Sequence, residues 1–207
     1  GSNYTFDYEH RLSAISGAFN ANYFYDGLGN RLKATRSGVT TKYVYDVNSN
    51  VIAESDVNNV ITKYFVHGLG LMSFITPTDQ VYSYHLNNVG STIAITDSSQ
   101  NIVNKYSYDP FGVILNQVEA VSQPFKYVGQ FGVMAEPNGI YKMGKRYYDP
   151  KASIFLSEDP IGFEGEDANL KRYVENSPLV WIDPEGLTRV GRLKLKLKNE
   201  KAEEAVE

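Results

Sequence analysis

One pattern recurs along the first half of the chain: Tyr-x-(Tyr/Phe)-Asp, a polar stretch rich in Gly and Asn, then an aliphatic residue. Full copies are Tyr4-Thr5-Phe6-Asp7, Tyr23-Phe24-Tyr25-Asp26, Tyr43-Val44-Tyr45-Asp46 and Tyr106-Ser107-Tyr108-Asp109. Weaker copies start at Tyr64 and within Tyr82-Ser83-Tyr84-His85. Copies begin about every 20 residues, a spacing that signals a repeat architecture in which each unit needs its neighbours to bury its apolar face.

The unit reads as a β-hairpin. Tyr23 and Tyr25 share one face of a strand, because side chains alternate with period two. Asp26-Gly27-Leu28-Gly29-Asn30 is turn chemistry. Arg31-Leu32-Lys33-Ala34-Thr35 returns, and Ser37-Gly38 turns again before Thr40-Thr41-Lys42-Tyr43. Stacked strands would set the tyrosines in a cross-strand aromatic ladder. An exposed carbohydrate-stacking surface is the competing use of the same rings. About six such hairpins predict a curled, mainly β, antiparallel sheet, closed over by the denser region from 110 to 187. Its N-terminal edge is open to further pairing.

Composition narrows the function classes. Hydrophobic content of 42% and charge of 21% fit a folded soluble chain. Tyr is over-used, with 16 residues against 1 Trp, as suits half-buried strands. There is no Cys, so disulfides, thiolate metal sites and cysteine nucleophiles are excluded. His10, His67 and His85 are too scattered for a metal site or a Ser-His-Asp triad. Asp46-Val47-Asn48-Ser49-Asn50 imitates the start of a calcium loop, but Val51 stands where Gly is needed and Val57 where Glu is needed. A net charge of −4 argues against nucleic-acid binding by this region. No apolar run reaches the ~18 residues of a membrane span. Gly1-Ser2 reads as a cloning remnant, so the native start and any export signal are expected upstream.

Near the C-terminus an aspartate recurs in one local setting: Asp159-Pro160-Ile161-Gly162 and Asp183-Pro184-Glu185-Gly186-Leu187. Pro fixes φ and Gly permits a positive φ, so each turn holds its carboxylate in one orientation. Two such carboxylates brought together could share a proton and work as an acid/base pair. Kept apart, they are two solvated surface turns.

The repeats resemble the YD repeats of Rhs proteins, Tc-toxin C-components and teneurins. Residues 127–187 are similar to the Rhs-associated core through Gly129-Gln130, Gly139-Ile140-Tyr141, Arg146-Tyr147-Tyr148-Asp149-Pro150, Phe155-Leu156-Ser157-Glu158-Asp159-Pro160-Ile161-Gly162, Arg172-Tyr173-Val174, Pro178 and Asp183-Pro184-Glu185-Gly186-Leu187. The resemblance implies a fragment of a hollow β-shell that encloses a C-terminal toxin. It also implies an aspartyl-type self-cleavage after Leu187, at Leu187–Thr188, by Asp159 and Asp183. Pro160, Gly162, Pro178, Pro184 and Gly186 support the motif. Which aspartate acts as base stays open at this point. No metal or cofactor is implied. The implied partners are the chain's own C-terminal toxin segment, upstream shell repeats, and a delivery or immunity protein. The implied setting is secretion or delivery from a bacterial cell, as in type VI secretion and bacterial competition.

The resemblance divides the chain into a YD-repeat sheet over 3–112, a core over 113–187, and the start of a variable toxin segment over 188–207, expected to be flexible. Ser153-Ile154 replaces the family's usual Gly-Arg, so a charge that could tune the carboxylates is absent there. The acidic stretch Glu164-Gly165-Glu166-Asp167 could raise the pair's pKa values if it lies close. In the tail, Arg192 to Lys198 alternates as a half-exposed strand would, and Glu200 to Ala205 favours a frayed helix or disorder. The alternative to a self-cleaving core is a non-catalytic YD-repeat module with a structural or adhesive role.

Overall fold

Consecutive hairpins pair edge to edge in a computed structural model, which describes residues 1–165 and 167–191. The readings for Glu166, for Arg192 to Lys198 and for Glu200 to Ala205 lie outside the described residues. Twelve strands follow one another: β1 Ser2–Phe6, β2 Leu12–Gly17, β3 Ala21–Tyr25, β4 Arg31–Arg36, β5 Val39–Tyr45, β6 Val51–Ser55, β7 Ile61–Gly68, β8 Gly70–Ile75, β9 Val81–Leu86, β10 Thr92–Thr96, β11 Ile102–Tyr108 and β12 Ile114–Glu119. They form one open antiparallel sheet in sequence order, the curled hairpin array expected from the repeat. No described helix is long and apolar enough to cross a membrane.

The aspartate of the repeat makes the turn. Oδ1 of Asp26 accepts the N–H of Asn30 at 2.8 Å and of Leu28 at 2.9 Å. The Asp26 N–H in turn donates to the Asn30 carbonyl at 2.9 Å. Asp7 and Asp46 repeat this arrangement, and Asp109 repeats the two bonds to the residue four places on. The fourth turn residue is left-handed each time, with φ 59° at His10, 83° at Gly29, 63° at Ser49 and 98° at Gly112. A bulge just before each of these aspartates shifts the register by one residue. Bulges of this kind strengthen strand twist and let a long sheet curl.

The first tyrosine of the pattern faces inward in the copies at Tyr23, Tyr43 and Tyr106, all buried. The second reaches back to an earlier carbonyl: Tyr25 Oη donates to Leu12 O at 2.6 Å, Tyr45 Oη to Arg31 O at 3.0 Å and Tyr108 Oη to Thr92 O at 2.8 Å. The ladder is therefore stitched by hydroxyl–carbonyl bonds as well as by ring contacts. The weak copy placed at Tyr64 needs a correction of frame. Tyr64 is 47% exposed on the outer face, while Phe65 is buried and His67 Nε2 reaches Val51 O at 2.9 Å in the place of the second tyrosine. The copy starting at 84 keeps its frame: Tyr84 is its buried first ring, and Asn87 supplies the turn oxygen. A slip of one residue exchanges the faces of a strand, so the frame matters.

The inner face packs on the segments after β12. A four-stranded sheet consists of β13 Met134–Ala135, β14 Tyr141–Met143, β15 Arg146–Asp149 and β16 Ile154–Phe155, and β17 Trp181–Ile182 pairs with β18 Val190–Gly191. Phe125, Met134, Ile140 and Tyr147 join the core of the large sheet. Tyr127, Tyr141, Tyr148, Phe155 and Tyr173 form a second core behind it. β15 divides its rings between the two, Tyr147 to the first and Tyr148 to the second. One charge cluster within the first core also ties the large sheet to the segment after β12. Arg31, fully buried where other repeats carry Leu12, Val51 or Leu71, meets Glu136 Oε1 at 2.5 Å and Tyr147 Oη at 2.9 Å. Arg36 Nε and Tyr23 Oη both donate to Glu136 Oε2, at 2.6 Å and 2.9 Å.

Candidate active site

Both Asp-Pro-x-Gly segments fold as variants of the repeat turn. Asp159 Oδ1 accepts the Ile161 N–H at 3.0 Å, and Gly162 takes φ 59°. Asp183 Oδ1 accepts the Leu187 N–H at 3.0 Å, and Gly186 takes φ 64°. The Thr188 amide also draws the Asp183 carboxyl down, so this carboxyl faces the amides on both sides of the Leu187 carbonyl. In the repeat turns the aspartate N–H holds the carbonyl four residues on. Among the described residues no such bond holds the carbonyl of Leu187.

The fold brings the two carboxylates to one cation. Arg146, at the start of β15, places Nη2 2.8 Å from Asp159 Oδ2 and 3.2 Å from Asp183 Oδ2. Its Nε donates to Gly186 O at 2.6 Å and its Nη1 to Leu170 O at 2.9 Å. The guanidinium lies 3.6 Å from the Phe155 ring centroid, so one of its faces is sealed by an aromatic. The side chains are only 4%, 8% and 4% exposed for Arg146, Asp159 and Asp183. Burial pushes the Asp183 carboxyl above its ordinary value, against the opposing pull of Arg146, and the charge of Asp159 adds to the rise. A buried carboxyl that is reluctant to ionise beside a second carboxylate is the arrangement that can share one proton. A cavity of about 30 Å³ opens between Arg146, Asp159, Gly162, Leu170, Asp183 and Leu187, room for one water molecule.

The hairpin turn between β14 and β15 sets the height of the scissile segment. Lys145 N–H donates to Glu185 O at 2.9 Å. A methyl group on Gly144 would collide with Glu185 O, and one on Gly186 would lie 2.5 Å from Met143 O. Backbone therefore meets backbone here, and both positions require glycine, each with a positive φ as well. Pro184 is buried, Pro160 is exposed, and Pro178 is buried in the turn that leads into β17.

Sequence reasoning placed Asp159 and Asp183 but gave Arg146 no role. The cation sought at Ile154 comes from Arg146 instead. Ile154 sits on β16 with its side chain 39% exposed, and its backbone bridges to Arg172. Ser153 adopts φ 60°, the conformation that a glycine takes freely. Of the acidic stretch, Asp167 is held by Arg172 through two bonds of 2.8 Å, and the Arg172 bond lowers its pKa. The useful signal for Arg146 was the alternation in Arg146-Tyr147-Tyr148: a strand that buries Tyr148 buries Arg146 on the same face, and a buried cation needs a carboxylate.

Comparison with known proteins agrees with this architecture. The family model described as teneurin YD-shell matches residues 1–175. The tRNA nuclease WapA of Bacillus subtilis strain 168 is 37% identical over 196 residues, covering 88% of this chain and 8% of that protein. Toxin subunit YenC1 of Yersinia entomophaga is 33% identical over 124 residues, covering 58% of this chain and 12% of its own length. The Photorhabdus luminescens Tc holotoxin pore superposes with a TM-score of 0.73 at 21% identity, covering 92% of this chain and 10% of that one. The chain thus spans about a tenth of each relative, and the structural likeness speaks for the fold. The sheet, its turns and the family match together show that the chain belongs to the teneurin YD-shell family, as a toxin-related Rhs-type domain.

Proposed function

We propose that the chain is the C-terminal core of an Rhs-type toxin shell that cuts itself once at Leu187–Thr188. One observation carries this reading: Asp159 and Asp183 meet on a single nitrogen of Arg146, with Asp183 bonded to the Leu187 N–H and close enough to feel the Thr188 amide. Water in the adjoining cavity attacks that carbonyl. Asp159 takes a proton from the water, and protonated Asp183 gives one to the Thr188 nitrogen as the C–N bond breaks. The products are a Leu187 carboxyl and a Thr188 amine, and the pair ends with its single proton moved to Asp159. Arg146 positions both carboxylates and, through Gly186 O, the strand that carries the bond. The bond lies four residues after Asp183 in the chain. Such tethering supplies a high effective concentration, and modest acid/base power suffices for a single turnover.

The same proposal assigns residues 3–112 to the shell wall, 113–187 to the core and 188–207 to the start of the released segment. The free edge of β1 would receive upstream shell repeats. Delivery from a bacterial cell, and a delivery or immunity protein as a further partner, belong to this reading as well. A second reading, a non-catalytic structural module, is favoured by the ion triad itself, because an arginine bridging two buried aspartates is also a complete structural tie.

Kinetics of scission at two protein concentrations tenfold apart separates the readings. The self-cleaving core gives one first-order rate at both, with Asp159→Asn and Asp183→Asn uncut and still folded by circular dichroism. A rate that scales with concentration rules out cleavage in cis.

A further inference from the structure

In the intact chain the backbone does not leave the core at the proposed cut site. Beyond Thr188 it turns back, and β18 pairs with β17 in the register Trp181↔Gly191 and Ile182↔Val190. Arg189 forms an ion pair with Glu175, and its guanidinium lies 5.5 Å from the Trp181 ring centroid. Gly191 passes beneath the same ring, where an added methyl group would stand 2.9 Å from Trp181 Cζ3. Trp181 is itself fixed by its N–H to Ser177 O at 3.0 Å. Among the described residues, every group that holds residues 189–191 comes from the part of the chain before Leu187.

Leu187 is tied down separately, through its N–H to Asp183. Breaking the Leu187–Thr188 bond removes none of these contacts. It converts the Thr188 amide into an amine with a pKa of about 7.7–8.0, protonated in good part at neutral pH beside Asp183. A new charge-assisted contact then replaces the old amide bond.

We propose that Glu175, Trp181 and the β17 backbone form a strand-capture site for residues 188–191, which keeps the C-terminal product docked after scission. The inference rests on the self-cleavage reading for its biological use. The ligand it fits is an extended peptide with a free N-terminal amine, a cation in second place, and glycine in fourth. Main-chain pairing gives the affinity and the side chains give the selectivity, as in other strand-addition sites. The Arg189–Glu175 pair is partly exposed, so salt weakens it, while the ring contacts and the strand pairing persist.

Denaturing and native mass spectrometry of one full-length preparation read the two events apart. The expected result is two pieces under denaturing conditions and one joint mass under native conditions. Gly191→Val, a change on the captured strand that substitutes no residue before Leu187, should release the C-terminal piece about tenfold faster on dilution. Glu175→Gln should speed release by about two- to fivefold at low salt and have less effect at high salt. Two pieces that separate natively in the unaltered chain overturn the capture site and leave self-cleavage standing. An uncut chain overturns self-cleavage instead, and hydrogen exchange on that intact chain then judges the capture site. Slow exchange at Val190 or Gly191, lost in Gly191→Val, supports it; free-chain exchange rates at both overturn it.

Discussion

Replacing Glu136 with glutamine removes the charge that ties the repeat sheet to the core region behind it. Burial alone would raise this carboxyl, but Arg31 and Arg36 hold it down at about 2, below its usual 4.5. That difference corresponds to ~3 kcal/mol of stability above pH 4.5. The sign follows from the direction: the folded carboxyl is the stronger acid, so the contribution is complete above the unfolded value and is lost as pH falls towards 2. Glu136→Gln also leaves Arg31 fully buried without a counter-charge, a loss of about 3–5 kcal/mol at neutral pH. Urea unfolding of both proteins at pH 7 and pH 3 measures the gap between them. It should shrink by about 2 kcal/mol at pH 3, because the other carboxylates titrate alike in both proteins and cancel. A gap of the same size at both values would refute the linkage, and a gap near zero at pH 7 would refute the tie.

Three further outcomes follow from the geometry. Gly144→Ala should keep the sheet and its circular dichroism but push Glu185 away from the β14–β15 turn, slowing scission at least tenfold while the melting temperature falls only a few degrees. Tyr45→Phe deletes one rung of the hydroxyl–carbonyl ladder and should lower stability by about 1 kcal/mol with the urea m-value unchanged. Burial, then Arg31 and Lys145, pull the Lys142 ammonium down to about 7, whereas the unfolded lysine keeps its proton to 10.5. Unfolding therefore takes up a proton between these values, stability rises with pH across that window, and Lys142→Met should abolish this rise.

The repeat made the sheet legible, because period-two alternation and turn residues are local properties of the sequence. Tyr23, Tyr43 and Tyr106 face inward as the pattern requires, and the aspartates after each strand close the hairpins. The copy placed at Tyr64 shows where locality fails. A histidine at 67 fills the second ring position, so an aromatic search settles on the outward tyrosine and reads the strand one residue out of frame. The two aspartates of the site were legible through their matching turns and the family motif. Their common partner was not. Arg146 lies 37 residues before Asp183, and nothing local marks the two as neighbours. Arg31 and Glu136 are 105 residues apart in sequence, and each looks like an ordinary surface charge until the fold buries both. Long-range charge pairing is set by tertiary packing, which neither periodicity nor turn chemistry encodes.

In the proposed reaction the Asp159–Asp183 pair cuts the chain after Leu187. The most direct test is the intact mass of freshly purified protein beside Asp159→Asn and Asp183→Asn. The expected masses are a core ending at Leu187 in the unaltered protein and full-length chains in both variants. A full-length unaltered chain, stable from acidic to neutral pH, would contradict this reaction and leave Arg146, Asp159 and Asp183 as a structural tie in a non-catalytic shell.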